Sequence, residues 1–574
     1  MKMKSEMQKP MIEPEMSAPM PSPFINLDYD IVIIGGAFSG GSTALRMKRE
    51  RPHARILVVE KSKEFDRKVG ESCSELAGCY MTRMLHLDDY LARNHIVKHG
   101  LRLWYTAEGN ECFGRCAEIG AQFQVRLPSY QIDRSTFDQH ILDLAVEAGV
   151  DLWRPATVKD VELKGIGKNT VEADVDGQRR KVTAGWVVDA SGKASYLPRK
   201  LGHHTPLDGH PVNAIWGRFS NVRDLDHHEI KSKFKEYAYA VSSPRSTATN
   251  HLVGRGWWCW LIPLNNGDLS AGLVYDERFF TPEKGTSLSE TLHQHLLKHP
   301  VGREMFKDAA PLERDTRSYR HVSYSSKKVA DPGWVVVGDA AGFIDPLYSQ
   351  GLDYCCHTVA AAEKILTKSL DGMCTKEAVM GYDEDYRHSY HCWHQSLYRG
   401  KYEYIGDAEL MWAAFVLDLS AYFLGPVRHV YEDTEKQFGT LPFHGPVGSF
   451  FGRLMARYNR RLAKIARKRW AAGIYGEKNL DRRYLVDGFI PRVEVGKQFM
   501  KGLVMWAKLE FKTLFLNFDP ELYAQAEAEA MAPVKARPAV AKPTEKAEAE
   551  LPVEAAGTMD KTMQRKAEPA VAEV

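Results

Sequence analysis

Asp30 to Ile34 (DIVII) places an apolar run behind one acid and leads into Gly35-Gly36-Ala37-Phe38-Ser39-Gly40-Gly41, ahead of a helical pattern from Ser42 to Arg49. A turn of this composition aims backbone N–H groups and the positive end of a helix at one point, with few side chains in the way. It suits the pyrophosphate of a dinucleotide. Gly35, Ala37, Ser39 and Gly40 are the candidate contacts. A second strand pattern, Arg55 to Val59, ends in Glu60, 25 residues after Gly35, where a carboxylate can accept hydrogen bonds from an adenosine ribose. Ala37 stands at the middle glycine of the G-x-G-x-x-G pattern and adds a methyl group near the phosphates. A tight strand-to-helix turn needs no ligand, so the assignment rests on agreement with other segments.

Three segments agree. Trp186 to Gly192 (WVVDASG) is a strand ending in an acid and a small-residue turn. Trp334 to Gly342 (WVVVGDAAG) delivers Asp339 to a turn, where its carboxylate can hold a ribityl hydroxyl. Asp133-Arg134 precedes a helical segment from Ser135 to Glu147. In this order the motifs resemble the FAD-dependent monooxygenase superfamily of the glutathione-reductase-like type, over roughly Tyr29 to Leu370. The resemblance implies an α/β fold: a glutathione-reductase-like FAD-binding domain, an inserted antiparallel β-sheet substrate domain and a helical C-terminal region. It also makes Arg134 and Asp339 FAD contacts.

Two further motifs narrow the resemblance. Trp258-Cys259-Trp260-Leu261-Ile262-Pro263 matches the W-x-W-x-I-P signature of flavin-dependent halogenases, and Phe343 to Gly351 (FIDPLYSQG) matches their F-x-x-P-x-x-S-x-G signature. The resemblance implies that FADH2 and oxygen form a flavin hydroperoxide, that chloride or bromide attacks it, and that the hypohalous acid so made reaches an organic substrate elsewhere. It casts Trp258 and Trp260 as a rigid barrier between flavin and substrate, although indoles on a strand also serve plain core packing. It assigns Pro346 and Gly351 to the flavin and the amides of Gln350 and Gly351 to halide, at a helix start whose dipole favours an anion.

The same resemblance calls for a lysine that guides hypohalous acid. Arg67-Lys68-Val69-Gly70-Glu71-Ser72 is similar to the family's x-x-G-E-S segment, and Lys98-His99-Gly100 fits the K-x-G element of its phenol- and pyrrole-modifying branch, 27 residues after Glu71. Lys98 is the catalytic candidate and Lys68 the fallback; burial lowers an ammonium pKa toward useful reactivity. Tyr348 occupies the position of a glutamate in tryptophan halogenases, which points to the phenol and pyrrole branch. Cys73-Ser74-Glu75 departs from the apolar pair and proline usual after G-E-S, which puts the local loop shape in doubt. The implied reaction is halogenation of an electron-rich aromatic, free or tethered to an acyl- or peptidyl-carrier protein, with FADH2 from a separate flavin reductase. The competing reading is a monooxygenase or reductase of the same superfamily without halide chemistry.

The elements that must position these residues divide the chain into a leader (1–27), a FAD-binding domain interleaved with the substrate sheet (28–375), a helical domain (376–530) and an Ala-, Pro-, Glu- and Lys-rich tail (531–574) expected to be disordered. Arg453 to Arg469 carries eight basic residues and no acid, with Leu454, Tyr458, Leu462 and Ile465 at helical spacing. Such a helix serves as a solvated face, or docks an acidic carrier protein or a peripheral membrane surface. Lys497 to Phe518, where aromatics interleave with lysines, suits a membrane surface or a cap on the substrate pocket. His388, His391 and His394 drift round a helix and lack cysteine partners, so no metal site is expected. Of the 574 residues, 77 are Lys or Arg and 74 Asp or Glu, too even a balance for nucleic acid as the first expectation. Nine scattered Cys and no apolar signal core predict a reducing, cytoplasmic compartment. The longest apolar run, Leu410 to Leu424, is interrupted by Asp418 and falls short of a membrane span.

Overall fold

The computed structural model describes residues 23–124, 127–486 and 493–532. Most of the expected leader and nearly all of the expected tail lie outside the described residues. The first sheet orders its strands Ala330–Asp331, Trp334–Val336, Gln178–Asp189, Tyr29–Ile34, Ile56–Val59 and Asp151–Trp153, with Ala156–Glu162 and Asn169–Val175 extending it through the long strand Gln178–Asp189. Its centre is parallel, with Ile31 opposite both Trp186 and Ile56. Parallel strands sit between helices and are buried on both faces, which explains the unbroken apolar runs. Ile31, Val32, Ile33, Leu57 and Val58 have no exposed surface, and each contributes about 1.5–3 kcal/mol by leaving water. The helix Phe38–Glu50 packs on Arg134–Glu147 and on Gly351–Leu370.

The second sheet has nine strands and is mainly antiparallel, as the inserted substrate domain required. Two pairs depart from that expectation. Thr249–Gly254 runs parallel to Leu101–Tyr105, and Arg483–Val486 runs parallel to Ala117–Ala121. The second pair means that the helical C-terminal region contributes a strand to the substrate sheet. Buried ions at this sheet are paired: Glu118 takes Arg102 at 2.5 Å and Arg245 at 2.8 Å.

The C-terminal helices close over this sheet. The helical stretch Ala408–Glu432 is long and apolar enough to cross a bilayer, but 61% of its most apolar window is buried inside the protein. Asp407 caps its start by accepting from the Leu410 amide, and Asp418 is held by Lys401 at 2.9 Å. A core helix of this kind satisfies the membrane-span pattern by composition alone. The basic helix Gly445–Ala471 buries Tyr458, Leu462 and Ile465. Three of its cations are spent in ion pairs, Arg461 with Glu510, Arg467 with Glu403 and Arg469 with Asp407. The helix Val493–Leu514 buries Leu509 and leaves Met500, Val504, Phe511 and Leu514 exposed.

Candidate active site

The strands Tyr29–Ile34, Ile56–Val59 and Trp334–Val336 end at one edge of the first sheet, and the predicted nucleotide residues follow them there. Gly35 has φ +97°, and a Cβ at this position would lie 2.6 Å from the Ala190 carbonyl oxygen. A Cβ on Gly40 would come within 1.8 Å of the Gly35 carbonyl. The close turn is therefore open only to glycine at both positions. Ala37 is the N-cap of the helix Phe38–Glu50, whose first turn has no acid to compete with a bound anion. Glu60 is buried and accepts from the Gly36 amide at 2.7 Å and the Ser62 amide at 2.8 Å. One lone pair on each of its oxygens remains for a ribose.

The late Gly-Asp turn meets the first one. A Cβ on Gly338 would lie 2.3 Å from the Ser39 hydroxyl, so the two turns are in contact. Burial pushes the Asp339 carboxyl up, and the nearby Arg134 and Lys193 cations oppose that shift. Arg134 starts its own helix, capped by Asp133, and pairs with Asp138 at 2.8 Å. A cradle that a Cβ would fill, a carboxylate at the second strand end and an acid at the late turn together fit FAD, which is the group the sequence resemblance implies.

The second signature forms the turn between this edge and the helical region. Tyr348 and Ser349 both have left-handed backbone, with φ of +70° and +60°. That strain for two side-chain-bearing residues turns the chain sharply ahead of the helix Gly351–Leu370. Gln350 is the N-cap of that helix and Gly351 its first residue, at the end toward which backbone N–H groups point. The Gln350 side chain is fixed, accepting from the Trp393 indole and from the Tyr398 hydroxyl at 2.7 Å.

Beyond this turn lies a cavity of about 840 Å³. Lys98, Ser74, Glu75, Tyr348 and Gln350 stand on its wall, with Trp393, Phe415, Tyr422 and Phe443 supplying aromatic lining. Gln350 and Trp393 also line the small pocket of about 30 Å³ beside Asp339, so their side chains stand between the two spaces. Lys98 is 3% exposed; its Nζ donates to the Cys73 carbonyl at 2.9 Å and stands 3.5 Å from the Ser349 hydroxyl. Burial lowers its pKa, opposed by the Cys73, Glu75 and Asp353 groups. Lys68 takes no part in this wall. It pairs with Asp138 at 3.8 Å and lies 4.4 Å over the Phe65 ring.

The two signature tryptophans line neither cavity. Trp258 is 1% exposed and donates to the Tyr402 hydroxyl at 2.9 Å, which in turn donates to Asp345 at 2.9 Å. Asp345 also takes the Leu347 amide, so Trp258 steadies the late turn from behind. Trp260 bonds Ser270 at 3.2 Å and fills the space over Gly272. Trp258 and Trp260, expected as the barrier, thus stand outside the lining of both cavities, whereas Gln350 and Trp393 line both.

Sequence reasoning missed Trp393, Glu75, Tyr422 and the Asp418 cluster. Asp418 accepts from Lys401 at 2.9 Å, from Tyr348 at 3.1 Å and from Tyr458. Asp353 caps the neighbouring Ala77 amide at 3.1 Å and accepts from Ser74, and burial raises its pKa to about 7. The departure at Cys73-Ser74-Glu75, and the acid Asp418 inside the apolar run Leu410 to Leu424, were the local signals for any of them.

The chain is similar to known flavin-dependent halogenases. Residues 113–395 match the tryptophan halogenase family model. A flavin-dependent halogenase of Dictyostelium discoideum, chlA, is 26% identical over 356 residues, 56% of this chain and 57% of the relative. The 1H-pyrrole-2-carbonyl-[peptidyl-carrier protein] chlorinase of Pseudomonas fluorescens is 25% identical over 358 residues, 58% of this chain and 75% of the relative. The crystal structure of halogenase PltM in complex with phloroglucinol and FAD shares the fold, with a TM-score of 0.65 and 18% identity over 87% of this chain and 99% of that one. The chain spans a little over half the length of the Dictyostelium relative.

Proposed function

We propose that this chain is a flavin-dependent halogenase, an FADH2-dependent enzyme that chlorinates or brominates an electron-rich aromatic ring. Gly35, Ala37, Ser39 and Gly40 would hold the pyrophosphate of FAD and Glu60 its ribose, with Arg134, Asp339, Pro346 and Gly351 at the remaining contacts. Reduced FAD bound there would supply hypohalous acid from oxygen and chloride or bromide. The chain's own residues then govern where that oxidant goes. The amides of Gln350 and Gly351, at the positive end of the helix Gly351–Leu370, would bind the halide. Gln350 and Trp393 keep a bulky substrate away from the flavin edge. Lys98, buried on the cavity wall, hydrogen-bonds the hypohalous acid or is halogenated by it, and presents the halogen to a ring lying in the cavity.

The observation that carries this reading is the position of Lys98: on the wall of an aromatic cavity of about 840 Å³, with its ammonium 3.5 Å from Ser349 of the late turn. The substrate is a free aromatic molecule, or one carried on the arm of an acyl- or peptidyl-carrier protein, as the name of the Pseudomonas relative states for that protein. A separate flavin reductase is the expected source of FADH2. The test combines the enzyme with a flavin reductase, NADH, oxygen and a panel of phenols and pyrroles, with and without bromide. Bromide-dependent products with the bromine isotope doublet are expected. Hydroxylated or reduced products that appear equally without bromide would instead establish a monooxygenase or reductase.

A further inference from the structure

Among the described residues, two carboxylates line the large cavity, Glu75 and Asp418. Asp418 is already engaged by Lys401, Tyr348 and Tyr458, which occupy it from three sides. Glu75 is held differently. It opens the short helix Glu75–Cys79 immediately after Ser74, and its side chain meets the Tyr422 hydroxyl. Lys98 lines the same cavity and is near enough to act on the Glu75 charge, so a base and an ammonium stand together on a wall that also carries Trp393, Phe415 and Phe443.

We propose that Glu75 is the proton acceptor for a ring hydroxyl, and that the cavity therefore takes a phenol or naphthol in preference to a pyrrole. This assignment rests on the halogenase reading for the later steps and on the cavity alone for the first. In the first step the substrate O–H bond breaks, the proton moves to Glu75 and the electron pair stays on oxygen, enriching the ring. The ortho or para carbon then takes the halogen of hypohalous acid as the halogen–oxygen bond breaks. The departing hydroxide receives the proton from Glu75 and leaves as water. Loss of the ring proton to solvent and reprotonation of the oxygen restore the phenol. The balance is one phenol and one hypohalous acid giving one halophenol and one water.

The surroundings suit the role. Burial raises the Glu75 pKa, and the Lys98 ammonium, Glu75's own backbone and Tyr422 oppose that rise, which brings the group nearer to a phenol in proton affinity. The other groups that face it are Cys73, Asp353 and Tyr431; burial pushes the Cys73 thiol up to about 12, which keeps it neutral.

The test uses the full-length holoenzyme with 2-naphthol and its O-methyl ether, two probes of similar shape of which one lacks the proton. The naphthol is expected to bind the wild type about tenfold more tightly, because the ether leaves a buried acceptor unpaired. Glu75→Leu should bring the two dissociation constants within about twofold without changing that of the ether, whose unchanged binding reports an intact cavity. Glu75→Gln keeps an acceptor but not a base. It should bind the naphthol and halogenate it about 100-fold more slowly at neutral pH, recovering as rising pH ionises the naphthol in solution. A naphthol preference that survives Glu75→Leu, or a Gln variant as fast as the wild type, overturns the assignment. If the wild type makes no halogenated product while naphthol binding still depends on Glu75, the halogenase reading fails and the phenol site stands.

Discussion

The Lys98 ammonium lies 3.5 Å from the Ser349 hydroxyl, although 251 residues separate them in the chain. Ser349 is also 3.2 Å from Ser72, next to Glu71 of the G-E-S segment. One contact thus ties the lysine on the wall of the large cavity to the turn that carries the second signature. Glu71 itself is anchored by Arg218 at 2.5 Å.

The glycine cradle is open to direct test. Gly40→Ala places a methyl group 1.8 Å from the Gly35 carbonyl, so the turn must move. The variant is expected to purify without the flavin absorbance near 450 nm expected of the wild type. Gly381→Ala, in the middle of the helix Lys376–Trp393 with open space around it, is the control. It should keep its flavin and gain about 0.5–1 kcal/mol of stability.

Asp353 sets a pH dependence whose sign follows from its raised pKa. In the folded protein its carboxyl keeps the proton up to about pH 7, whereas an unfolded chain releases it near the ordinary value of 3.8. The folded state binds more protons in that window, so the contribution is full below about pH 4 and is lost as pH rises through 7. Asp353→Asn does not titrate. Melting temperatures of the variant and wild type should therefore differ least near pH 4, and the variant should gain steadily relative to wild type up to pH 8. The relative gain is on the order of a few kcal/mol. A difference independent of pH would show that the carboxyl is ionised throughout.

Much of this arrangement was legible in the sequence, for a physical reason. Gly35, Gly40, Glu60 and Asp339 belong to short segments whose local conformation and ligand chemistry are coupled, so residue type and spacing carry the message. Lys98 was legible by its offset from Glu71 within a family resemblance, not from burial or charge. The place of Trp393 between the two cavities was not legible. Trp393 lies in a helix where periodicity reports only an apolar face, and its place between two cavities depends on how that helix crosses the late turn. The same holds for Asp418, whose partners Lys401, Tyr348 and Tyr458 come from distant segments. The strand Arg483–Val486 sits in a region of helical composition, and only pairing with Ala117–Ala121 makes it a strand.

The two classes of tryptophan should separate in function. Trp258→Phe removes the indole bond to Tyr402 and should cost about 1–2 kcal/mol, with halogenated product still formed. Trp393→Ala removes a side chain shared by both cavities. It should release hypohalous acid to a trapping reagent in solution and lower product yield per FADH2 consumed. If Trp258→Phe shows the leak and Trp393→Ala does not, the signature strand is the barrier after all.

The most direct measurement is the fate of the oxidant in Lys98→Ala, supplied with FADH2, oxygen and bromide. Consumption of FADH2 should continue at nearly the wild-type rate while brominated product falls at least about 100-fold. Bromination that persists at the wild-type level in a folded, flavin-loaded Lys98→Ala enzyme would contradict delivery by this lysine and direct attention to Lys68.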